Sequence, residues 1–304
     1  MTTYPTGEQI ELVQGDQSAV VVRVGGGLRM YDVAGRTVVD GFDASARVDG
    51  GRGQVLVPWP NRVRDGRYRW AEQDQQLALS EAANHNAIHG LVRWSEWSVV
   101  ERAPSAVTLA TRVWPQPGYP FMLDVTAAYA LGNEGLSVAL SGRNAGEVAL
   151  PYGVGQHPYL TAGTDLVDDA VLTVPAASWL RTDERGLPVS TEPVDGTLWD
   201  FRTGRQVGNT VLDTPFTELH RDGEGRVVVR LALVDGTHGV DVWCGEGADY
   251  LQVFSGDTLA PARRRRGLAV EPMSCPADAF NSGVGLVTLQ PGQEHTLQWG
   301  LHAW

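Results

Sequence analysis

The chain has 304 residues and a formal net charge of −12, and all 24 of its basic residues are arginine. The acidic balance excludes the positive surface by which proteins bind nucleic acids or anionic membranes. The absence of lysine excludes Schiff-base chemistry and a phosphate-binding P-loop. Two cysteines are too few for a disulfide framework, and the sequence lacks a signal peptide and a membrane-spanning apolar stretch. We therefore expect a cytoplasmic protein with neither a nucleic-acid nor a membrane partner.

Short alternating segments between turns run the length of the chain. Glycine contributes 36 residues, and Gly, Pro, Asn and Asp recur where the alternation stops. This pattern is typical of an all-β protein. In chain order we predict short opening hairpins and then longer antiparallel strands, at residues 19–24, 28–33, 106–113, 121–131, 136–144, 226–234, 239–243, 286–289 and 296–301.

Turn sequences join these strands in pairs. Gly132-Asn-Glu-Gly135 and Asp235-Gly-Thr-His238 are typical hairpin connections, and Pro291-Gly292 predicts a closing hairpin between 286–289 and 296–301. The sequence shows no sustained 3.6-residue periodicity, fixed-period repeat or low-complexity linker. We therefore predict one domain over residues 1–304, built from large packed antiparallel sheets.

Polar side chains in restrained turns are the first candidates for function. Asn61 and Arg62 lie in a turn bounded by prolines, where a planar guanidinium can fork onto hydroxyls or a carboxylate. His85 and His89 occupy a loop that ends in Gly90, so that an imidazole can point inward where the backbone turns sharply. The alternative interpretations are a surface arginine and two structural histidines.

Three further candidates lie in the second half of the chain. His157 precedes a proline, which restrains its backbone to an extended conformation. Asp213 precedes a proline-containing segment, where an acid more commonly caps a turn. Glu271 follows the apolar residues 268–270, and Pro272 then removes a backbone donor, so we predict that the strand ends at Glu271. A carboxylate there faces a cleft, the alternative being a surface glutamate.

Taken together, these stretches resemble the aldose 1-epimerase (galactose mutarotase) family in their order and approximate spacing. The resemblance spans residues 61–283, and each motif is weak by itself. The matching motifs are Asn61-Arg62 with Gly66, Asn86-Ala-Ile-His89-Gly90, His157-Pro158-Tyr159, Leu212-Asp213 with Phe216, and Glu271-Pro272-Met273 with Asp278-Ala-Phe-Asn281. Departures at Leu91, Gln156 and Leu160 touch the rim of the site, where they affect the sugar preference more than the acid and the base.

The resemblance implies a large antiparallel β-sandwich of the galactose mutarotase-like (supersandwich) type that acts on free aldoses without a cofactor or a metal. Glu271 is similar to the family's general base and His157 to its general acid. Arg62, with Asn61 beside it, His89 and Asp213 are similar to its substrate-binding groups. We expect a monomer or a homodimer whose partner is a small-molecule sugar.

The implied reaction needs one base and one acid. Interconverting α and β anomers requires a proton taken from the C1 hydroxyl and a proton given to the ring oxygen, followed by ring opening, rotation and reversal. A carboxylate on Glu271 and an imidazolium on His157 are available together near neutral pH if their mutual attraction keeps the imidazole charged. Of the ten tryptophans, we expect most in the core and a few stacked against the sugar.

Four other interpretations stay open from the sequence. A glycosidase needs two carboxylates at a set separation, a role for Glu271 with Asp213. A non-catalytic sugar-binding or sugar-sensing protein has the same site without turnover. A hexose-6-phosphate 1-epimerase of the same superfamily needs a phosphate grip, for which arginines 263–266 are candidates, although we expect a solvated loop there. A metal site from His85, His89 and His157 lacks the short-spaced ligand pair that zinc sites usually show.

Overall fold

Residues 3–304, which this computed structural model describes, form an almost entirely β structure. The first strands are β1 (Gln9–Gln14), β2 (Gln17–Val22), β3 (Leu28–Val33), β4 (Arg36–Thr37), β5 (Val55–Leu56), β6 (Arg62–Arg64), β7 (Arg67–Trp70), β8 (Gln73–Gln76) and β9 (Asn86–Ile88). The middle of the chain forms β10 (Ser98–Ala103), β11 (Ala106–Val113), β12 (Leu123–Gly132), β13 (Gly135–Asn144), β14 (Leu150–Tyr152), β15 (Gly155–Gln156), β16 (Tyr159–Leu160), β17 (Ala170–Thr173) and β18 (Ala176–Thr182). The last strands are β19 (Pro188–Pro193), β20 (Arg205–Gln206), β21 (Asp213–Leu219), β22 (Val227–Leu233), β23 (Gly239–Cys244), β24 (Tyr250–Phe254), β25 (Leu268–Met273), β26 (Val287–Leu289) and β27 (Glu294–Ala303).

Helical structure is confined to single turns. A four-residue α-helix, α1, covers Ala279–Ser282, and 3₁₀ turns cover Ala82–Asn84 and Val167–Asp169. Among residues 3–304, no helix is both long and apolar enough to span a bilayer.

A nine-stranded sheet forms one layer, in the order β10-β11-β12-β13-β27-β23-β22-β17-β20. Every pair of neighbours in it is antiparallel. Its long strands have the alternation that the sequence predicted: along β12, buried and half-buried residues alternate from Leu123 to Leu131. Alternate side chains of a strand point to opposite faces, so one face of this sheet is apolar and covers the core.

The predicted closing hairpin is wrong. The chain does turn at Pro291-Gly292, but β26 pairs with β14, whereas β27 lies between β13 and β23. Between those two strands β27 forms two ladders, one with eight register pairs and one with five. A hairpin partner would provide only one ladder, so the central position satisfies more of the backbone groups of β27.

The second large sheet follows the order β19-β18-β21-β24-β25-β15-β5, and β16 also pairs with β25. It packs against the nine-stranded sheet as the second layer of the predicted sandwich. Gln156 of β15 shows the contact, since its side chain accepts a hydrogen bond from Trp299 Nε1 of β27 (3.1 Å) and donates one to the Tyr129 hydroxyl of β12 (2.7 Å). Smaller sheets, β1-β2-β3-β4, β6-β9, β7-β8 and β14-β26, complete the fold.

Strand β25 does not end at Glu271, as the sequence analysis predicted, but continues through Pro272 to Met273. A proline is tolerated here because of the direction in which its nitrogen points. The amides of Val270 and Ser274 donate to Pro158 and Val154 on the β15/β16 side, so the nitrogen of residue 272 faces that side as well. In the register that pairs Gly155 with Met273 and Tyr159 with Ala269, the ladder on that side is interrupted between β15 and β16, where a proline without an N–H is tolerated.

Candidate active site

A cavity of about 310 Å³ lies on the face of the eight-stranded sheet that points away from the sandwich core. This volume is at the lower end for small-molecule sites. The cavity brings together all six residues that the sequence singled out for acid–base and sugar-binding roles, namely Asn61, Arg62, His89, His157, Asp213 and Glu271. His85 is not among them, because it is exposed and bonds to Asp65 at 2.9 Å.

Glu271 reaches the cavity because of the alternation along β25. Leu268 and Val270 belong to the hydrophobic core, so Glu271 points to the opposite face, directly across from Gln252 of β24. Its side chain is 2% exposed, and Oε1 lies 3.3 Å from His157 Nε2. Burial raises the pKa of Glu271 well above its usual range, the charge of Asp213 raises it further, and Arg62 opposes the shift.

His157 occupies the break between β15 and β16 and is 5% exposed. Its ring stacks on Tyr159, with centroids 5.0 Å apart and planes 10° from parallel. Gly51 closes the other approach: it has a φ of +72°, and a Cβ there would lie 2.8 Å from His157 Cδ2. The imidazole is therefore held in one orientation from both the strand and the turn.

Burial acts against a charged imidazole in the free site. Burial lowers the pKa of His157 to about 3, and the nearby Arg52 charge contributes to the shift. Removing water costs a charged group more than a neutral one, so burial favours neutral His157 beside protonated Glu271. This state and the expected imidazolium–carboxylate pair contain the same single proton and differ only in which group holds it.

Asn61 and His89 fix each other at the ends of β6 and β9. Both have left-handed backbones, with φ of 55° and 62°. The N–H of Asn61 donates to His89 Nδ1 (3.2 Å), and the N–H of His89 donates to the carbonyl of Asn61 (2.8 Å). Because Nδ1 accepts, the ring proton of neutral His89 lies on Nε2. Burial, together with His157 and neighbouring arginines, lowers the pKa of His89 well below 6.5, so this neutral form is favoured.

This tautomer also bears on metal binding. His89, His157 and Glu271 each offer one ligand atom within 4.8 Å of the others, a spacing compatible with a common ion. On His89, however, the Nδ1 lone pair is already used by the Asn61 N–H and Nε2 carries the proton. The three residues therefore fit a hydrogen-bond donor and an acid–base pair better than a three-ligand metal site.

Arg62 is held by Glu81, which the sequence analysis did not identify. The guanidinium makes two hydrogen bonds of 2.9 Å to this carboxylate, from Nε to Oε2 and from Nη2 to Oε1. Glu81 also accepts from the side-chain amides of Asn84 and Asn86. Such a bidentate pair fixes the guanidinium plane. No sequence motif marks Glu81, since it meets Arg62 through its bridge to Asn86 and the pairing of β9 with β6.

Gln252 is a second cavity residue that the sequence did not reveal. Its amide donates to Asp213 Oδ1 at 2.6 Å, and its carbonyl accepts from Asn61 Nδ2 at 3.2 Å. Asp213 is the first residue of β21, so it starts a strand and does not cap a turn. Gln252 has no neighbouring motif, and only its register opposite Glu271 places it in the site.

The aromatic contribution differs from the expectation. Across residues 3–304 no tryptophan lines the cavity, and the aromatic side chain in its wall is Phe254 of β24. Trp59, Trp97 and Trp299 are buried in the core, whereas Trp94 and Trp114 are exposed. Tryptophan count alone did not indicate which aromatic residue faces the ligand.

The arginines 263–266 are only partly the predicted solvated loop. Arg264 and Arg266 are exposed, but Arg265 is 11% exposed and forms ion pairs with Asp168 (2.7 Å) and Asp257 (2.8 Å). Arg263 contacts Asp40 at 3.4 Å. All four lie outside the residues that line the cavity. Arg265 instead anchors the segment that contributes cavity residues 258 and 259, because paired buried charges hold loops in place.

Comparison of the sequence with known proteins agrees with the resemblance that the motifs showed. The sequence matches the family described as aldose 1-epimerase over residues 8–302. It is similar to the uncharacterized protein YihR of Escherichia coli (strain K12), with 36% identity over 298 residues that cover 98% of this chain and 94% of YihR.

Two solved structures with the same architecture are described as an aldose epimerase homologue and a galactose 1-epimerase. The GalM/aldose epimerase homologue from C. elegans superposes with a TM-score of 0.86 at 17% identity, covering 98% of each chain. The galactose 1-epimerase from Lactobacillus acidophilus NCFM superposes with a TM-score of 0.82 at 22% identity, covering 97% of this chain and 94% of that one. The predicted galactose mutarotase-like sandwich is thereby confirmed.

Proposed function

This chain belongs to the aldose 1-epimerase family, and from that premise we propose that it interconverts the α and β anomers of a free aldose. The observation that carries the proposal is the buried pair formed by Glu271 and His157, whose Oε1 and Nε2 atoms lie 3.3 Å apart at the cavity wall. One base and one acid side by side are the groups that ring opening needs.

In the proposed reaction the pair contributes one proton. With that proton on His157, the Glu271 carboxylate takes the proton of the C1 hydroxyl while the imidazolium gives its own to the ring oxygen. The C1–O5 bond breaks, C1 becomes an aldehyde carbon, and Glu271 is left protonated beside neutral His157. Rotation about C1–C2 presents the other carbonyl face, and the same transfers in reverse close the ring as the other anomer.

The remaining polar groups suit the hydroxyls of a sugar. His89 Nε2–H is a fixed donor, as the tautomer requires, and Arg62 presents a guanidinium held by Glu81. The chain of hydrogen bonds from Asn61 through Gln252 to Asp213 ends in a carboxylate that accepts from hydroxyl groups. Convergent groups of this kind fix the orientation of a small polar ligand.

The direct test is NMR or polarimetry of anomer equilibration. We expect freshly dissolved D-galactose or D-glucose to equilibrate faster with the protein than in buffer, and EDTA to leave the rate unchanged. Binding of either sugar without acceleration favours the sugar-binding protein instead. Release of sugar from an aryl glycoside, with no acceleration of anomer exchange, favours the glycosidase.

A phosphorylated aldose is the second candidate, for one specific reason. Arg93 lines the cavity and is half-buried, and within residues 3–304 it has no carboxylate partner. Its Nη2 donates to the carbonyl of Ile88, and a guanidinium without a carboxylate partner is a common ligand of phosphate. D-Glucose 6-phosphate belongs in the same assay: a kcat/KM above that of D-glucose favours this candidate, and a lower value favours the free sugar.

A further inference from the structure

Arg52 is a buried cation behind the acid–base pair. Its side chain is 1% exposed and bonds to Asp40 Oδ2 at 2.7 Å and to Asp49 Oδ1 at 3.4 Å. A buried guanidinium loses its hydration and persists only where its neighbours compensate. Here Nη2 has no hydrogen-bond partner among the described residues, so the two carboxylates do not account for the whole group.

The ring of Tyr159 connects Arg52 with His157. The guanidinium carbon of Arg52 lies 4.0 Å from the centroid of that ring, within the distance of a cation–π contact. The same ring is stacked on the imidazole of His157, with 5.0 Å between centroids. Tyr159 is itself fixed, because its hydroxyl donates to the carbonyl of Gly50 at 2.9 Å. Arg52 does not line the cavity, and the ring of Tyr159 lies between its guanidinium and His157.

Several charged or titratable groups surround His157, and Arg52 is distinct among them. The others are Glu271 at 3.3 Å, His89 with its ring centroid at 5.5 Å, Arg93 and Tyr159. Glu271 exchanges protons with His157, and His89 is neutral. Arg93 lines the cavity, where a bound ligand can screen it. Arg52 is thus a permanent positive charge that substrate binding leaves in place, and Asp40 and Asp49, which pair with it, offset part of that charge.

We propose that Arg52 is a positioning residue for His157, which holds the plane of the imidazole through Tyr159 and makes its protonated form a stronger acid toward the ring oxygen. The inference rests on the proposed role of His157 as the acid. A fixed positive charge raises the free energy of a nearby imidazolium and so favours release of its proton. The direction agrees with the lowered pKa of His157, to which the Arg52 charge contributes.

The test compares Arg52→Met, which removes the charge, with Arg52→Lys, which keeps it, using D-galactose and D-glucose as substrates. Arg263→Gln is the matched control, since Arg263 contacts the same Asp40 but not the Tyr159 ring. For Arg52→Met we expect kcat to fall on the order of 10-fold with KM unchanged, because an imidazole plane that the stack no longer holds loses part of what a proton-transfer group contributes. The acid limb of the pH profile should move up by about one pH unit.

A second readout does not depend on turnover. The ¹⁵N shifts of the His157 ring report its protonation directly, so an upward move of its titration in Arg52→Met, absent in Arg52→Lys and Arg263→Gln, supports the inference even if neither sugar is a substrate. An unshifted titration in Arg52→Met overturns it. If Arg52→Met does not fold, Arg52→Lys decides: a lower kcat with an unchanged titration supports positioning through the planar stack, and a native kcat contradicts it.

Discussion

The two large sheets of the sandwich differ in how closely they follow the usual features of a strand, namely unbroken pairing, alternating burial, no internal proline and no buried charge. In the nine-stranded sheet, β12 and β13 pair over ten residues without a break, and buried positions recur at every second residue. In the eight-stranded sheet, β15 and β16 have two residues each, Pro215 and Pro272 lie inside strands, and Glu271 is buried.

The contrast between the two sheets assigns most of the folding stability to the nine-stranded sheet and the proposed chemistry to the eight-stranded sheet. The nine-stranded sheet buries apolar side chains along long ladders, with a register shift between Val99 and Glu101 in β10, so its residues contribute mainly to folding. The eight-stranded sheet buries titratable groups, which costs free energy unless each is paired. Local rules are broken where the proposed reaction takes place, as expected when function competes with stability.

The largest expected effect is on turnover, at the centre of the eight-stranded sheet. Glu271→Gln keeps the shape but cannot accept the anomeric proton, so kcat should fall by about 10²–10⁴ while sugar binding survives. His157→Asn should behave alike, and the double variant should be little worse than the poorer single one, because the two act as a unit. Anomer-exchange NMR measures all three. Substantial activity in Glu271→Gln removes the residue from the mechanism and leaves Asp213 as the acid to test.

A substitution in the core of the nine-stranded sheet should lower the stability of the protein and leave its kcat unchanged. Leu140 of β13 is fully buried in the core, and Leu140→Ala should reduce the free energy of unfolding by about 2–5 kcal/mol through the cavity it leaves. Its kcat per folded molecule should stay native. Urea unfolding gives the first quantity, and Ala139→Ser, on the other face of the same strand, is the control. A large loss of kcat in folded Leu140→Ala would contradict the separation of the two sheets.

A smaller effect, on KM, is expected at Glu81, which holds Arg62 from outside the eight-stranded sheet. Glu81→Gln removes the charge that fixes Arg62, so KM should rise by about 10-fold, the value of one charge-assisted hydrogen bond. Because Glu81 does not meet the reacting atoms in the proposed mechanism, kcat should change little. Steady-state kinetics with Glu101→Gln, an exposed residue of β10, as control separates the two constants. A fall in kcat equal to the rise in KM would place Glu81 in the proton transfers.

The smallest effect is on stability, and it depends on pH. The folded-state pKa of Glu271 is raised, so its contribution to stability is fully present below about pH 4.5 and is lost as pH rises through the folded value. Glu271→Gln lacks this loss. It should therefore exceed the native protein in stability by about 1 kcal/mol near pH 8 and by less near pH 4.5.

Thermal unfolding at both pH values measures this difference. Glu224→Gln, which changes an exposed carboxylate, should follow the native protein at both. A constant gap between Glu271→Gln and the native protein would show that the carboxyl of Glu271 is not perturbed by burial.

Much of the fold could be predicted because strand alternation and turn residues are local signals. Residues 106–113 coincide with β11, and the predicted 136–144 differs from β13 by one residue. The predicted closing hairpin was wrong because a turn such as Pro291-Gly292 reverses the chain direction but does not determine which strand pairs with which. That choice depends on which sheet offers β27 two ladders. Arg265 escaped prediction for a related reason, since its carboxylate partners lie 8 and 97 residues away in sequence.

In the site, residue types and restrained backbones are encoded locally, so the motifs were enough to select the candidate residues. Asn61, Arg62, His89, His157, Asp213 and Glu271 were all identified in this way and share one cavity. The tertiary structure alone decided that Gln252 and Glu81 join them, that His89 carries its proton on Nε2, and that Arg52 stands behind His157. These depend on register, burial and distance between segments far apart in the chain. Protonation in particular follows from desolvation, which exists only once the sheets have closed.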